Sequence, residues 1–177
     1  MLGNTYGCDI SLYTSKVELE RIVLYDTTQA PILVFQGPHR FLSNFYPASI
    51  TFCDIEWPSV ETAYQAMKSL DPAVWVTFSG MTSVQAKKAG RRIVPMRPDW
   101  EDVKVGIMCE LVWIKFSTIP SLQEQLLATN MAKIEEGNSH RDRIWGVCPP
   151  GSGLGQNLLG KILMTIRRRI RLMHLSN

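Results

Sequence analysis

The apolar and polar positions of this chain fall into several periodic segments, and one dominates. From Val60, apolar residues recur at Ala63, Met67 and Leu70, the period of a helix that packs one face. Pro58 and Ser59 stand where that helix begins; proline fixes φ, and a serine hydroxyl caps free backbone N–H groups. Glu61, Tyr64, Gln65 and Lys68 occupy the other side at i, i+3, i+4 and i+7, so they stack along one face. A carboxylate, a phenol, an amide and an amine therefore line up on a single helix. Spacing alone leaves this face open to two readings, a solvated charge ladder or a chemical site.

The remaining segments predict short strands and further helices. Residues 31–35 form an apolar run that reads as a buried strand, followed by a breaker-rich loop over 36–47. Ile50-Thr-Phe52 and Ile55-Glu-Trp57 flank Cys53-Asp54, which predicts a tight β-hairpin leading into the central helix. Residues 15–25 could form a short helix or strand. Asp71-Pro72 closes one helix or opens the next. A short helix over 84–89 is expected to stop at Gly90 as a left-handed C′ residue. Asp99 is placed to cap a long helix in which Trp100, Val103, Ile107, Leu111 and Ile114 keep helical spacing. Ser121-Leu-Gln-Glu124 has the form of a capping box, residues 133–135 could be a strand, and Leu158, Leu159, Ile162, Leu163 and Ile166 mark a final amphipathic helix.

Composition narrows the class. A chain of 177 residues, 45% hydrophobic and 20% charged, is ordinary for one globular domain with its own core. No apolar run approaches the roughly 18–20 residues of a membrane span, and residues 1–10 lack the pattern of a secretory signal. Cys8, Cys53, Cys109 and Cys148 form no Cys-x-x-Cys pair and read as reduced thiols, so a cytoplasmic location is expected. The net charge of +3 is gathered into two clusters, Lys87, Lys88, Arg91 and Arg92, then Arg167, Arg168, Arg169 and Arg171. Each suits a phosphate-bearing ligand or a nucleic acid, and each equally suits the wet side of a helix. His39, His140 and His174 are isolated, and no cluster has metal-ligand spacing, so neither a metal nor a cofactor is expected.

Two loops carry further candidate chemistry. In the stretch from Glu135 to Gly146, Gly137 and Asn138 favour a turn, and Asp142 lies near Trp145. This could set a carboxylate beside an aromatic platform, or it could be an Asx-turn anchored by the tryptophan. Gly151-Ser-Gly-Leu-Gly-Gln-Asn157 is a glycine-rich turn at a helix start, a weak phosphate-binding signal without P-loop or Rossmann spacing.

Five ordered motifs together resemble the NADAR/YbiA-like family of N-glycosidases. They are Phe41-Leu-Ser-Asn-Phe-Tyr-Pro47, Pro58-Ser-Val-Glu-Thr-Ala-Tyr-Gln-Ala-Met-Lys68, Asp99-Trp-Glu101 with Lys104, Glu136-Gly-Asn138 with Asp142-Arg-Ile-Trp-Gly146, and Gly155-Gln-Asn-Leu-Leu-Gly160 with Leu163-Met164. The resemblance covers residues 32–172, leaving 1–31 as an extension of unknown role and 173–177 as a tail. It implies the YbiA-like fold, an α+β, predominantly helical single domain with a few short strands. It also implies hydrolysis of a bond between a ribose anomeric carbon and an amine. Two substrate classes go with the family: guanine carrying ADP-ribose in DNA or RNA, and the phosphoribosylamino-pyrimidine intermediates of riboflavin synthesis. The Glu-Gly-Asn…His-x-Asp-x-x-Trp-Gly form here looks closer to the first. The expected partner is thus an ADP-ribosylated nucleic acid or a ribose-phosphate-linked base, with the oligomeric state open.

Breaking such a bond builds positive charge on the anomeric carbon, which a nearby carboxylate stabilises. Under the resemblance, Glu61, Lys68 and Asp142 are the candidate catalytic groups. The carboxylates would serve as acid, base or charge stabiliser, and the amine would form a Schiff base or neutralise a phosphate. Asn44, Tyr64, Gln65 and Asn138 are candidates to hydrogen-bond ribose or base, and Trp145 and Phe45 to stack on a purine. Arg40, Gly155 and Asn157 are candidates for the diphosphate. Two other classes compete: a non-catalytic reader of ADP-ribose or NAD, and a protein-binding partner domain.

Overall fold

The computed structural model describes residues 25–93 and 95–175. Among these, residues 44–118 form one compact unit, and residues 25–43 with 119–175 form a second.

In the first unit, β1 (Ile50–Phe52) pairs antiparallel with β2 (Ile55–Trp57), Ile50 facing Trp57. Cys53 and Asp54 turn the chain at φ values of 52° and 58°, the left-handed pair that a two-residue hairpin requires. The Trp57 indole N–H donates to the Phe52 carbonyl at 3.0 Å and closes the hairpin. Helix α1 (Val60–Ala66) follows directly, with the Ser59 hydroxyl accepting the Thr62 N–H at 3.2 Å. Three further helices pack on α1: α2 (Pro72–Ser79), α3 (Ser83–Gly90) and α4 (Trp100–Thr118). All seven residues of α1 are buried. The expected apolar stripe exists at Val60, Ala63 and Met67, but Leu70 is 56% exposed and lies beyond the helix end. The opposite face is not solvated either, because helices cover it.

Local signals explain the other starts. Asp71 caps α2 through the Ala73 N–H at 2.9 Å, with Pro72 in the first turn. Thr82 and Gln85 form a reciprocal capping box on α3. Gly90 is the last residue of α3 and keeps right-handed backbone, so it is not the left-handed stop that the sequence suggests. Asp99 precedes α4, and its carboxylate is held by the Arg97 guanidinium at 2.6 and 2.9 Å.

The second unit has no strand among its described residues. The runs 31–35 and 133–135, expected as strands, make only an isolated parallel bridge between Ile32 and Ile134. A 3-10 helix (Gly37–Leu42) occupies the first half of the breaker-rich loop. Helix α5 (Pro120–Ala128) begins one residue before the expected capping box, with Ile119 as N-cap and no side-chain cap. Proline claims the first helical position, which moves Ser121 inside the first turn and leaves the box unformed. Helix α6 (Leu158–Leu175) buries Leu158, Leu159, Ile162, Leu163 and Ile166 as its spacing predicts.

The C-terminal arginine cluster divides. Arg167, 1% exposed, donates to the Thr129 hydroxyl at 2.8 Å and the Ala132 carbonyl at 2.9 Å. Arg171 donates to the carbonyls of Leu127 and Asn130 at 3.0 and 2.7 Å. Together they satisfy carbonyls at and beyond the end of α5, groups a helix leaves unpaired. Burial, with the like charge of Arg171, lowers the Arg167 guanidinium to about 10. Arg168 and Arg169 are exposed.

The cysteines need one correction: Cys109 and Cys148 are free and buried, whereas Cys53 is disulfide-bonded. The element expected over 15–25 falls outside the described residues, apart from Tyr25. Among the described residues no single helix is long and apolar enough to cross a membrane, and no group of His, Cys, Asp and Glu could hold a metal ion.

Candidate functional site

The first unit holds a compact polar cluster built on α1. Ser59 starts the helix, which sets Glu61 in its first turn and Gln65 one turn later. Glu61 is 3% exposed, a burial that a carboxylate tolerates only with partners. Its Oε1 accepts the Gln65 amide at 2.8 Å and lies 3.4 Å from the Lys87 ammonium on α3. Its backbone N–H donates to the Asn44 carbonyl at 3.0 Å. Asn44 is itself buried, its amide pointing to the Met108 sulfur at 3.3 Å. Phe45 is half-buried, and its carbonyl accepts the Ser83 hydroxyl.

Lys68 follows the end of α1. Its ammonium lies 5.8 Å from the centre of the Trp100 ring and 3.4 Å from the Gly90 carbonyl. Tyr64 packs against the same indole, ring centroids 5.0 Å apart. Partial burial lowers the Lys68 ammonium below the usual 10.5; Lys87 and Arg91 add to the effect, and Glu61 opposes it. An amine that sheds its proton more readily is a better nucleophile at moderate pH.

Close packing of α3 makes the cluster possible. A Cβ built on Gly90 would lie 2.0 Å from the Gln65 side-chain oxygen. Only glycine lets the helices approach so far. That oxygen is buried and has no hydrogen-bond partner among the described residues. The chain beyond Lys68 opens on a cavity of about 630 Å³, lined in part by Ser69, Leu70, Val74, Arg92 and Met96.

The second unit holds the other candidates. Asp142 Oδ1 accepts the N–H groups of Ile144 at 3.0 Å and Trp145 at 2.9 Å. This is the Asx-turn arrangement, and Trp145 is half-buried behind it. Asn138 donates to the Asp142 carbonyl at 2.7 Å and accepts the Asp142 N–H at 3.0 Å. Asn157, at φ 51°, accepts the Glu136 N–H at 3.0 Å and donates to the Ile134 carbonyl at 2.9 Å. Gly155 has φ 152°, and a Cβ there would lie 2.2 Å from the Gly146 carbonyl oxygen. Asn138, Gly155 and Asn157 thus brace the loop on which Asp142 and Trp145 sit. Arg40 is exposed in the 3-10 helix.

Glu61, Tyr64, Gln65 and Lys68 therefore come together with Asn44 and Phe45 in the first unit. Asn138, Asp142, Trp145, Gly155 and Asn157 share one loop system in the second. Sequence reasoning missed Lys87, Gly90 and Trp100 as members of the α1 cluster. The available signal was the spacing of Lys87 and Gly90 on α3, a cation and a residue without Cβ nearly one turn apart.

Comparison with known proteins adds the following. The NADAR domain family matches residues 33–171. A protein of Nostoc punctiforme named as an N-glycosidase is 39% identical over 139 residues, 76% of this chain and 87% of its own length. A riboflavin biosynthesis protein of Vibrio vulnificus is 39% identical over 135 residues, 75% of this chain but 36% of its own length. The present chain thus spans only about a third of that protein. The solution NMR structure of YbiA from E. coli superposes with a TM-score of 0.73 at 32% identity, covering 84% of this chain and 90% of that one. The predominantly helical α+β architecture with two short strands is that of YbiA.

Proposed function

Because this chain belongs to the NADAR family, we propose that it is an N-glycosidase that cleaves the bond between a ribose anomeric carbon and an amine of a base. The observation that carries the reading is the pairing on and beside α1 of a buried carboxylate, Glu61, with an amine of lowered basicity, Lys68. Relatives named as N-glycosidases support it.

The reaction follows from these groups. With the sugar ring open, the substrate carries an imine at C1. The neutral Lys68 amine adds to C1, and the base departs as its free amine, taking up a proton. A Schiff base between Lys68 and C1 remains. Water then adds to C1, Lys68 leaves, and the sugar is released as its aldehyde, which closes to the ring. The net change adds one water across the C–N bond. Glu61 stabilises the positive charge at C1 and moves the protons of water and departing amine. Asp142 is the proposed second carboxylate; its Oδ2 accepts no hydrogen bond among the described residues. Tyr64 and Gln65 are proposed ribose contacts.

For the substrate, we favour guanine carrying ADP-ribose in a nucleic acid, on the form of the loop from Glu136 to Gly146. The Vibrio relative, named for riboflavin biosynthesis, favours a phosphoribosylamino-pyrimidine instead. The test offers both to the protein: an oligonucleotide with ADP-ribosyl guanine and the pyrimidine nucleotide, each followed by chromatography of the released sugar. Glu61→Gln should lower turnover by about 10²–10⁴-fold. Borohydride added during turnover should fix the sugar on Lys68, seen by peptide mass, and Lys68→Ala should lose both adduct and activity. Binding of ADP-ribose without cleavage of either substrate would replace the enzyme by a binding module.

A further inference from the structure

Lys87 is absent from every motif that led to the site, yet among the described residues it makes the one ion pair with the buried carboxylate. It reaches from α3 to Glu61 Oε1 at 3.4 Å, with its own side chain 39% exposed. The same oxygen accepts the Gln65 amide, so two donors from two helices fix the carboxylate. Lys68 lies just beyond the far end of this short helix, its ammonium turned to the Gly90 carbonyl and the Trp100 ring. Glu61 is thus engaged elsewhere and is not the hydrogen-bonded counter-ion of Lys68.

Resting on the glycosidase reading above, we propose that Lys87 is a positioning residue for the reaction: from α3 it holds the Glu61 carboxylate in place and takes up its charge, leaving the Lys68 amine without a paired counter-ion among the described residues.

The surrounding charges agree. The charged groups acting on Lys68 are Lys87 on α3, Arg91 just after α3 and Glu61 on α1; the two cations oppose its protonation, and the carboxylate favours it. Helix α2 carries no charged residue. Near the start of α4, Asp99 is paired with Arg97 and Glu101 with Lys104, so those carboxylates are engaged. A lysine beside a second cation is one established way to keep an amine nucleophilic. Removing Lys87 acts twice in one direction: a like charge beside Lys68 disappears, and Glu61 is released to attract its proton.

The experiment compares wild type, Lys87→Met and Lys87→Arg. The Lys68 side chain is titrated directly by NMR, assigned by its loss in Lys68→Arg, and the pH dependence of turnover is measured in parallel. Thermal melting checks that each variant is folded. In Lys87→Met the Lys68 midpoint should rise by about one pH unit, about tenfold less free amine at a given pH. The limb of the turnover profile should move with it, and Lys87→Arg should restore both. An unchanged midpoint in folded Lys87→Met would overturn the proposal, as would a shifted midpoint with an unmoved turnover limb. If wild type cleaves neither substrate, the glycosidase reading falls, while the titration still decides whether Lys87 holds Glu61 away from Lys68.

Discussion

Gly90→Ala tests the packing on which the α1 cluster depends. In a helix, replacing glycine by alanine normally stabilises by about 1 kcal/mol, since alanine has less backbone freedom to lose. Gly90 has ordinary helical backbone, so that gain is available here. The added methyl, however, would lie 2.0 Å from the Gln65 oxygen, 2.8 Å from its Cδ and 3.0 Å from its Cβ. Gln65 is 1% exposed and has no room to yield without leaving its place. Overpacking of this kind costs about 1–3 kcal/mol. Moving the amide also gives up its hydrogen bond to the Glu61 carboxylate, worth about 1.5–3 kcal/mol. The net expectation is a loss of about 2–5 kcal/mol, with turnover reduced because Glu61 loses a partner. Urea denaturation gives the stability, and combining Gly90→Ala with Gln65→Ala gives the coupling. In the double variant the methyl occupies the space of the amide, so the two losses should add to much more than the loss observed. A stabilised Gly90→Ala, or additive single losses, would refute the argument.

Other expectations follow from the same geometry. Lys68 has a lowered pKa in the folded protein, so between that value and 10.5 the unfolded chain binds a proton that the native state has released. Stability should therefore rise with pH across that window and level off above it, and Lys68→Met should remove the rise in urea midpoints measured along a pH series. Arg167→Ala should cost about 3–5 kcal/mol by leaving the Thr129 hydroxyl and the Ala132 carbonyl without their donor. Arg167→Met keeps the buried stem but loses the same donors, so it should cost nearly as much; a clearly smaller loss in denaturation would mean that packing, not hydrogen bonding, holds the residue. Asp142→Asn keeps the Oδ1 acceptor for Ile144 and Trp145, so its melting temperature should stay near wild type while turnover falls. Asp142→Ala should lose about 0.5–2 kcal/mol as well, the cost of removing a side-chain acceptor from two backbone N–H groups. Retained turnover in Asp142→Asn would make Asp142 a loop brace alone.

What could be read from the sequence was whatever depends on near neighbours in the chain. The hairpin followed from the Cys53-Asp54 turn between two triplets with apolar ends, α1 from Pro58-Ser59 and its stripe, and the buried side of α6 from its spacing. The capping box at Ser121 failed because Pro120 already occupied the first turn, a competition between two local signals of which only one can act. The run over 31–35 failed as a strand because its extension depends on a partner. Ile134 offers only a single bridge. Arg167 was grouped with its charged neighbours, whereas its position is decided by carbonyls left open beyond α5, which no local pattern reveals.

The α1 site shows the same limit and also how it can be narrowed. Periodicity reports which positions differ from their neighbours, so it cannot separate a polar face in water from a polar face buried against partners. The difference lies on α3. Glu61 and Gln65 are one turn apart on α1, and Lys87 and Gly90 are nearly one turn apart on α3. Lys87 supplies the charge that Glu61 lacks, and Gly90 leaves the space that Gln65 fills. A carboxylate–amide pair on one helix thus meets a cation–glycine pair on another, each residue answering its opposite. A solvated face needs no such answer, because water serves every polar group alike. The complementarity, not the ladder of polar residues, is what marks this face as buried.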